Sequence, residues 1–312
     1  MKVVIIGGVA AGASAAARLR RLDEAAEIIL LEKGSHVSYA NCGLPYHLGG
    51  VIPQRKSLLV VTPERFKRQF NVQVRIESEV VSIDRTAKNV TVRMRGGETY
   101  IESYDKLVLA TGSSPVPLQI PGIESPRVTH LWTLADMDQA LFHITAGAKR
   151  VALVGAGFVG LETAENLREK GLEVTVVQRS NHVLSTVDRE MAVPLAKELE
   201  SSGIRFEFER VVKKFITNES HLGVILDNGK QIKCDFAILC AGVKPNSDLA
   251  RSVGLELGTH GHIVTDEYLR TSDPDIFAAG DAVEVRNPIL GGRIAIPLAG
   301  PANKQGRLVA DN

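Results

Sequence analysis

Short, unbroken apolar runs recur along this chain, each closed by small residues and followed by a stretch with helical spacing of apolar positions. The first run, Val3-Val4-Ile5-Ile6, ends in Gly7-Gly8 and leads into the alanine-rich segment from Ala10 to Leu19. A run this short and this rich in β-branched residues predicts a strand buried on both faces, and the alanine-rich segment predicts a helix. A second run, from Glu27 to Glu32, closes the unit as another strand. The pattern returns 148 positions later as Val151-Ala152-Leu153-Val154-Gly155-Ala156-Gly157-Phe158-Val159-Gly160, with Leu19-Arg20 falling on Leu167-Arg168 and Glu173 to Gln178 as the closing strand. Two βαβ units imply parallel sheets, so the expected fold class is α/β. Leu107 to Leu109, Phe236 to Cys240 and Ile276 to Ala278 read as further buried strands.

The glycines at the strand-to-helix turns have separate tasks. One makes the tight turn, one lets backbone approach a pyrophosphate, and one lets helix and strand pack closely, with the pyrophosphate resting on the helix N-terminus. The second copy carries the full G-x-G-x-x-G pattern in Gly155, Gly157 and Gly160, with Phe158 and Val159 between. The first keeps Gly7 and Gly12 but has Val9 in the middle. Glu32, twenty residues beyond Gly12, makes up for that departure, because a carboxylate at the end of the second strand accepts bonds from a ribose diol. Two Rossmann-like dinucleotide-binding domains are therefore expected. In the second copy the strand ends in Gln178-Arg179, so no carboxylate repels a 2′-phosphate and a guanidinium is at hand to bind one. Arg179 also reads as an exposed residue after a strand, which leaves NADPH preference and dual use both open.

Cys42 stands in Ser38-Tyr39-Ala40-Asn41-Cys42-Gly43-Leu44-Pro45-Tyr46, just after the first unit. Asn41 is read as a helix cap and Pro45 as a first-turn residue, which would place the thiol at a helix N-terminus where its pKa falls. No second cysteine follows within a helical turn, so an internal dithiol cannot form and the other half of any disulfide must come from a substrate or an oxidant. His47 reads as a surface or packing residue.

Composition narrows the classes. Lys and Arg number 37 against 36 acidic residues, a net charge of +1, which makes no electrostatic case for nucleic acid or an anionic membrane. No apolar run approaches the roughly 18 residues of a membrane span, and a cytoplasmic protein is expected. Three cysteines, two of them (Cys234 and Cys240) in or beside apolar runs, read as reduced thiols, and no metal site is expected.

Leu107-Val108-Leu109-Ala110-Thr111-Gly112 and Asp275-Ile276-Phe277-Ala278-Ala279-Gly280-Asp281 complete a larger order. Gly-rich unit, Ala110-Thr111-Gly112, second Gly-rich unit, Ala279-Gly280-Asp281: this resembles the FAD-dependent pyridine nucleotide-disulfide oxidoreductases over nearly the whole chain. Within them, Ser38 to Tyr46 is similar to the single-cysteine branch of coenzyme A-disulfide reductases and NAD(P)H-dependent coenzyme A polysulfide or persulfide reductases. The resemblance implies a discontinuous FAD domain at 1–118 and 245–312, interrupted by an NAD(P) domain at 119–244. It implies that Ala10, Glu32, Lys33, Ala110, Thr111, Gly112 and Asp281 contact FAD, that Val80 approaches the adenine by backbone, and that Pro297-Leu298-Ala299 starts a helix aimed at the flavin. Glu162 matches the family's acidic residue near nicotinamide and flavin, and Gly242 lies by the return crossing on the NAD(P) side. Cys42 would be the catalytic residue, reducing coenzyme A disulfide, coenzyme A persulfide or polysulfide.

Ser14, Arg18 and Arg21 fall on one helical face, and two guanidiniums there suit nucleotide phosphates. By the resemblance, these residues with Ser38 and Asn41 hold the coenzyme, and Lys67 and Arg68 add to the site. Peroxide- and oxygen-reducing relatives carry a histidine in the first Gly-rich turn, where this chain has Val9, Ala10 and Ala11. Alternatives are an NADH oxidase or peroxidase, a flavin electron-transfer reductase for a small redox protein, and an inactive flavin-binding fragment. The chain stops at Asn312 within an expected helix, so the family's C-terminal dimerisation domain is expected to be absent; a complete member would be a homodimer.

Overall fold

Val3, Ile5, Ile28 and Leu30 join one buried cluster and Val4, Ile6, Ile29 and Leu31 another, so alternate side chains of the same two strands are buried on opposite faces. Covering both faces is what permits unbroken apolar strands. Each such residue contributes roughly 1.5–3 kcal/mol by leaving water. The computed structural model describes residues 1–289 and 291–312. They divide into two compact units, one of Met1–Tyr39, Leu59–Ser114 and Lys244–Asn312, the other of Ala40–Leu58 and Pro115–Val243.

In the first unit, five parallel strands run in the order Ile276–Ala278, Lys106–Leu109, Lys2–Ile6, Glu27–Leu31, Gln73–Arg75. Helix Ala10–Leu22 covers one face together with Ala299–Asp311, and the two cross closely enough that a Cβ on Gly306 would strike the Ala11 carbonyl. On the other face lies the antiparallel sheet Ser78–Asp84, Asn89–Met94, Thr99–Ser103, whose Val80, Val90 and Val92 pack with Val4 and Leu107. Arg20 closes the end of the first helix by donating to the carbonyls of Asp23, Glu24, Ala26, Phe70 and Asn71.

The second unit repeats the plan. Its parallel strands run Arg205–Phe208, Glu173–Gln178, Arg150–Val154, Phe236–Leu239, Val128–His130, and an antiparallel sheet of Val212–Thr217, Leu222–Leu226 and Gln231–Cys234 shares their core. Helix Leu134–Thr145 begins with a reciprocal capping box between Thr133 and Asp136, and helix Phe158–Glu169 follows the Gly-rich turn. Cys234 is buried in this core, and burial pushes its thiol up to about 12.

The chain crosses between units at 114–115 and 243–244, a few residues from the expected 118–119 and 244–245. Residues 40–58, expected with the first domain, pack with the second unit. Their helix Leu44–Gly49 lies on helix Phe158–Glu169, with no room for a Cβ on Gly49 beside the Asn166 side chain, 2.6 Å from its Oδ1. Among the described residues no helix is long and apolar enough to cross a membrane.

Candidate functional site

In the first unit the glycines of the turn are dictated by backbone contact. Gly7 has φ +100° and a Cβ there would meet the Ala110 carbonyl; a Cβ on Gly12 would meet the Gly7 carbonyl. Val9 caps the helix with no side-chain hydrogen bond, so the first-turn amide donors are left to an outside acceptor. Glu32 is buried, and its carboxylate accepts from Gly8 N at 2.8 Å and from Gly34 N at 2.7 Å. It therefore shapes the turn and keeps further lone pairs for a ribose. Lys33 beside it is exposed, and Val80 is a core residue of the antiparallel sheet.

Ala110-Thr111-Gly112 is fixed by a residue that the sequence reading passed over. Asn246 Nδ2 donates to the Thr111 carbonyl at 2.9 Å, its own carbonyl accepts from Thr111 Oγ1 at 2.6 Å, and its Oδ1 accepts from Ser114 Oγ at 2.7 Å. The partners are more than 130 positions apart, and no local pattern joins them. Gly112 has φ +65° and open space where a Cβ would stand. Asp281 accepts from Ser113 Oγ at 2.7 Å; burial raises its pKa, against the lowering effect of that hydrogen bond. Leu298, half exposed, caps helix Ala299–Asp311 without a side-chain bond.

The second cradle follows the same logic. A Cβ on Gly155, at φ +109°, would meet the Cys240 carbonyl, and one on Gly160 would meet the Gly155 carbonyl. Gly157 differs: its backbone is extended, it caps the helix, and nothing lies within 4 Å of its would-be Cβ. Open space over an uncapped helix N-terminus is what a pyrophosphate requires, so these residues fit a dinucleotide. Phe158 and Val159 are exposed at that end. Gln178 takes the place of Glu32: its buried Oε1 accepts from Ala156 N at 3.1 Å, while Arg179 is exposed. Gly242, at φ +98°, also faces open space.

Cys42 is exposed, within the 3-10 turn Asn41–Gly43. The α-helix starts only at Leu44, with Gly43 as its cap and no side-chain cap bond, so Asn41 is not the helix cap that was expected. The intervening turn moves Asn41 too far from the first helical amides; its Oδ1 instead accepts from Cys42 N at 3.2 Å and lies 3.9 Å from Cys42 Sγ. Pro45 does occupy the first turn. His47 is buried and donates from Nδ1 to the Ile52 carbonyl at 2.6 Å, a packing role. One turn along helix Phe158–Glu169 stands Glu162, whose pKa is raised by burial and then by Glu165. The Tyr46 phenol is pushed up chiefly by the Glu162 charge, so the helix after Cys42 brings Tyr46 to Glu162. Cys240 is held up at about 12 by burial.

The expected phosphate face has other partners in this structure. Ser14 Oγ donates to Asn303 Oδ1 at 2.7 Å, Arg18 Nε pairs with Asp311 at 2.6 Å, and the Arg21 guanidinium lies 5.6 Å from the Phe70 ring centre. Both hydrogen-bonding partners come from helix Ala299–Asp311, far away in sequence. Lys67 and Arg68 are exposed on helix Pro63–Phe70. Ser38 sits at φ +47°, held by Ser38 N to the Gly8 carbonyl at 2.8 Å.

A family model described as pyridine nucleotide-disulphide oxidoreductase matches residues 1–306. An NADH oxidase of Methanocaldococcus jannaschii is 34% identical over 314 residues, covering 100% of this chain and 70% of that protein. A coenzyme A disulfide reductase of Staphylococcus aureus is 35% identical over 312 residues, covering 99% and 70%. Among solved structures, reduced CoADR-RHD of Bacillus anthracis superposes with TM-score 0.96 at 44% identity, and a NAD-dependent persulfide reductase from A. fulgidus with 0.96 at 38%. Each covers 99% of this chain, which spans only 56% and 58% of those two longer chains.

Proposed function

We propose that this chain, which belongs to the pyridine nucleotide-disulphide oxidoreductase family, reduces a sulfur–sulfur bond of a small molecule at Cys42, with electrons from NAD(P)H. The observation that carries the reading is an exposed Cys42 in a chain with two glycine-lined, uncapped helix N-termini. The first unit is read as the FAD domain and the second as the NAD(P) domain. The substrate class is coenzyme A disulfide, coenzyme A persulfide or polysulfide, in keeping with the names of the S. aureus and A. fulgidus relatives.

Cys42 as thiolate attacks one sulfur of R–S–S–R′, forming a Cys42–S–S–R bond and releasing R′–S⁻, which takes a proton from solvent. FAD, when bound, would relay the two electrons of one hydride from NAD(P)H to that mixed disulfide. Cleavage restores the Cys42 thiolate and releases R–SH. Overall, R–S–S–R′, NAD(P)H and H⁺ become R–SH, R′–SH and NAD(P)⁺. Asn41 Oδ1, 3.9 Å from Sγ, takes a hydrogen bond from the thiol form and orients it. No second cysteine lies near Cys42 in sequence, and Cys234, at the end of strand Gln231–Cys234, and Cys240, just past strand Phe236–Leu239, are both held as thiols by burial. Gln178 presents a neutral amide where a carboxylate would repel a 2′-phosphate, so NADPH is admitted as well as NADH. The cytoplasm is the setting we infer, with a homodimer expected of a complete family member.

The test is Cys42→Ser in the FAD-loaded protein. The variant keeps its flavin absorbance and still accepts hydride, yet loses turnover of coenzyme A disulfide; full turnover would sink the scheme. Oxygen as acceptor is the second reading, favoured by the M. jannaschii relative and opposed by Val9, Ala10 and Ala11 in the first turn. Oxygen consumption that survives Cys42→Ser at the rate of sulfur turnover would select it.

A further inference from the structure

The segment Ala40–Leu58 is a closed excursion whose ends meet: Ala40 N donates to the Leu58 carbonyl at 2.8 Å. The Cys42 turn rests directly on that far end. Gly43 N donates to the Ala40 carbonyl at 2.9 Å, and a Cβ on Gly43 would stand 2.6 Å from Leu58 Cδ2 and 3.2 Å from Ile52 Cδ1. Leu58 is fully buried and closes the short turn Arg55–Leu58. Where Leu58 sits therefore decides where the backbone of Cys42 sits.

Arg55 fixes this turn from outside. Its Nε lies 2.9 and 3.2 Å from the two carboxylate oxygens of Asp138 and its Nη2 lies 2.9 Å from Oδ2, a forked, two-point pair. Asp138 is carried by helix Leu134–Thr145, which is locked at its start by the Thr133–Asp136 capping box and anchored by buried Leu134, Met137 and Ala140. A planar fork holds direction as well as distance, which a lysine could not do. The hydrogen bond from Arg55 to Asp138 also raises the arginine pKa. Midway along the excursion Gly49 abuts Asn166, so the strap is tied at its middle as well as at the Arg55 turn.

We propose that Arg55 and Asp138 form a clamp that positions the Cys42 turn: positioning residues for the thiol, acting through Leu58 and Gly43. The functional weight of the clamp rests on Cys42 being the reacting group, as proposed above; the clamp itself does not. An exposed pair of this kind adds little to global stability, but it controls local opening of the strap, which rises by up to about fivefold when the pair is broken.

The experiment uses the FAD-loaded full chain with Arg55→Ala, Asp138→Ala and the double exchange Arg55→Asp with Asp138→Arg. Amide hydrogen exchange of 40–58 is followed beside thermal unfolding and steady-state kinetics with coenzyme A disulfide. Both single variants should exchange about two- to fivefold faster in 40–58, with strands elsewhere unchanged and unfolding nearly unmoved, and the double exchange should restore protection. Turnover should fall in kcat, through displacement of the Cys42 turn, with KM for NAD(P)H unchanged. Unaltered exchange in both single variants, or a double exchange as unprotected as they are, overturns the clamp. Faster exchange with unaltered kcat keeps the clamp in place as a structural tie, and refutes its positioning of a reacting thiol.

Discussion

Gly157→Ala and Gly160→Ala should behave as opposites, although the two glycines stand three positions apart in one turn. Gly157 has φ −80° and ψ −175°, which any residue adopts, and its new methyl would enter open space. Alanine there leaves the fold intact and gains up to about 1 kcal/mol by narrowing the unfolded ensemble. Gly160 has no such room, because its methyl would overlap the Gly155 carbonyl and stand 3.4 Å from the Cys240 Cβ. Overpacking of that kind costs about 1–3 kcal/mol, and at about 2–4 °C per kcal/mol the unfolding temperature should drop by about 2–12 °C. For the nucleotide the order reverses. A methyl over the helix N-terminus at Gly157 displaces the pyrophosphate from one or more backbone donors, each charge-assisted bond being worth about 1.5–3 kcal/mol, or about 10- to 150-fold in Kd. Thermal unfolding without nucleotide, paired with titration of NADPH and NADH by fluorescence, reads both effects. Unchanged nucleotide affinity in Gly157→Ala would refute the placement of the pyrophosphate. A Gly157→Ala protein that unfolds as early as Gly160→Ala would show that all these glycines serve packing alone.

Two other substitutions probe the first unit. Asn246→Ala removes the bonds to the Thr111 carbonyl and from Ser114 Oγ, and should cost about 1–3 kcal/mol in urea unfolding while speeding FAD release; unchanged FAD retention would remove Asn246 from the site. Asp281 has a folded-state pKa raised by burial, so the native chain holds that proton more tightly than the unfolded chain, and its contribution to stability is present at low pH and lost as pH climbs through the raised pKa. Asp281→Asn, which can still accept from Ser113, should flatten this part of the pH dependence of apoprotein unfolding; a variant whose pH profile matches the parent's would contradict the assignment.

The two βαβ units were legible because everything that makes them lies within about thirty residues: an apolar run, a glycine turn, an alanine-rich helix and a closing strand. Gly12 and Gly160 conflict with carbonyls of their own turns, those of Gly7 and Gly155, whereas Gly7 and Gly155 meet the carbonyls of Ala110 and Cys240, far away in sequence, and were legible only through the spacing of the glycines. At Val9, where the second copy has Gly157, the cap offers no side-chain hydrogen bond, so the helix amides have no side-chain acceptor there. The expectation for Asn41 went astray over a single turn of 3-10 helix, a difference of two or three residues that capping propensity does not resolve. Nothing local could have revealed that Arg55 would meet Asp138, 83 positions on, or that Asn246 would bind the Thr111 turn from 135 positions away.

Local order, then, was written in the residue pattern: two nucleotide cradles, the helices that bear them, and one exposed cysteine without a second thiol nearby. Tertiary packing decided which unit the Cys42 strap joins, and that Ser14 and Arg18 turn toward helix Ala299–Asp311. The reason is physical. Strand and helix periodicities are set by backbone geometry within a few residues, whereas an ion pair or a buried amide between distant segments forms only where packed elements bring its partners within about 3 Å.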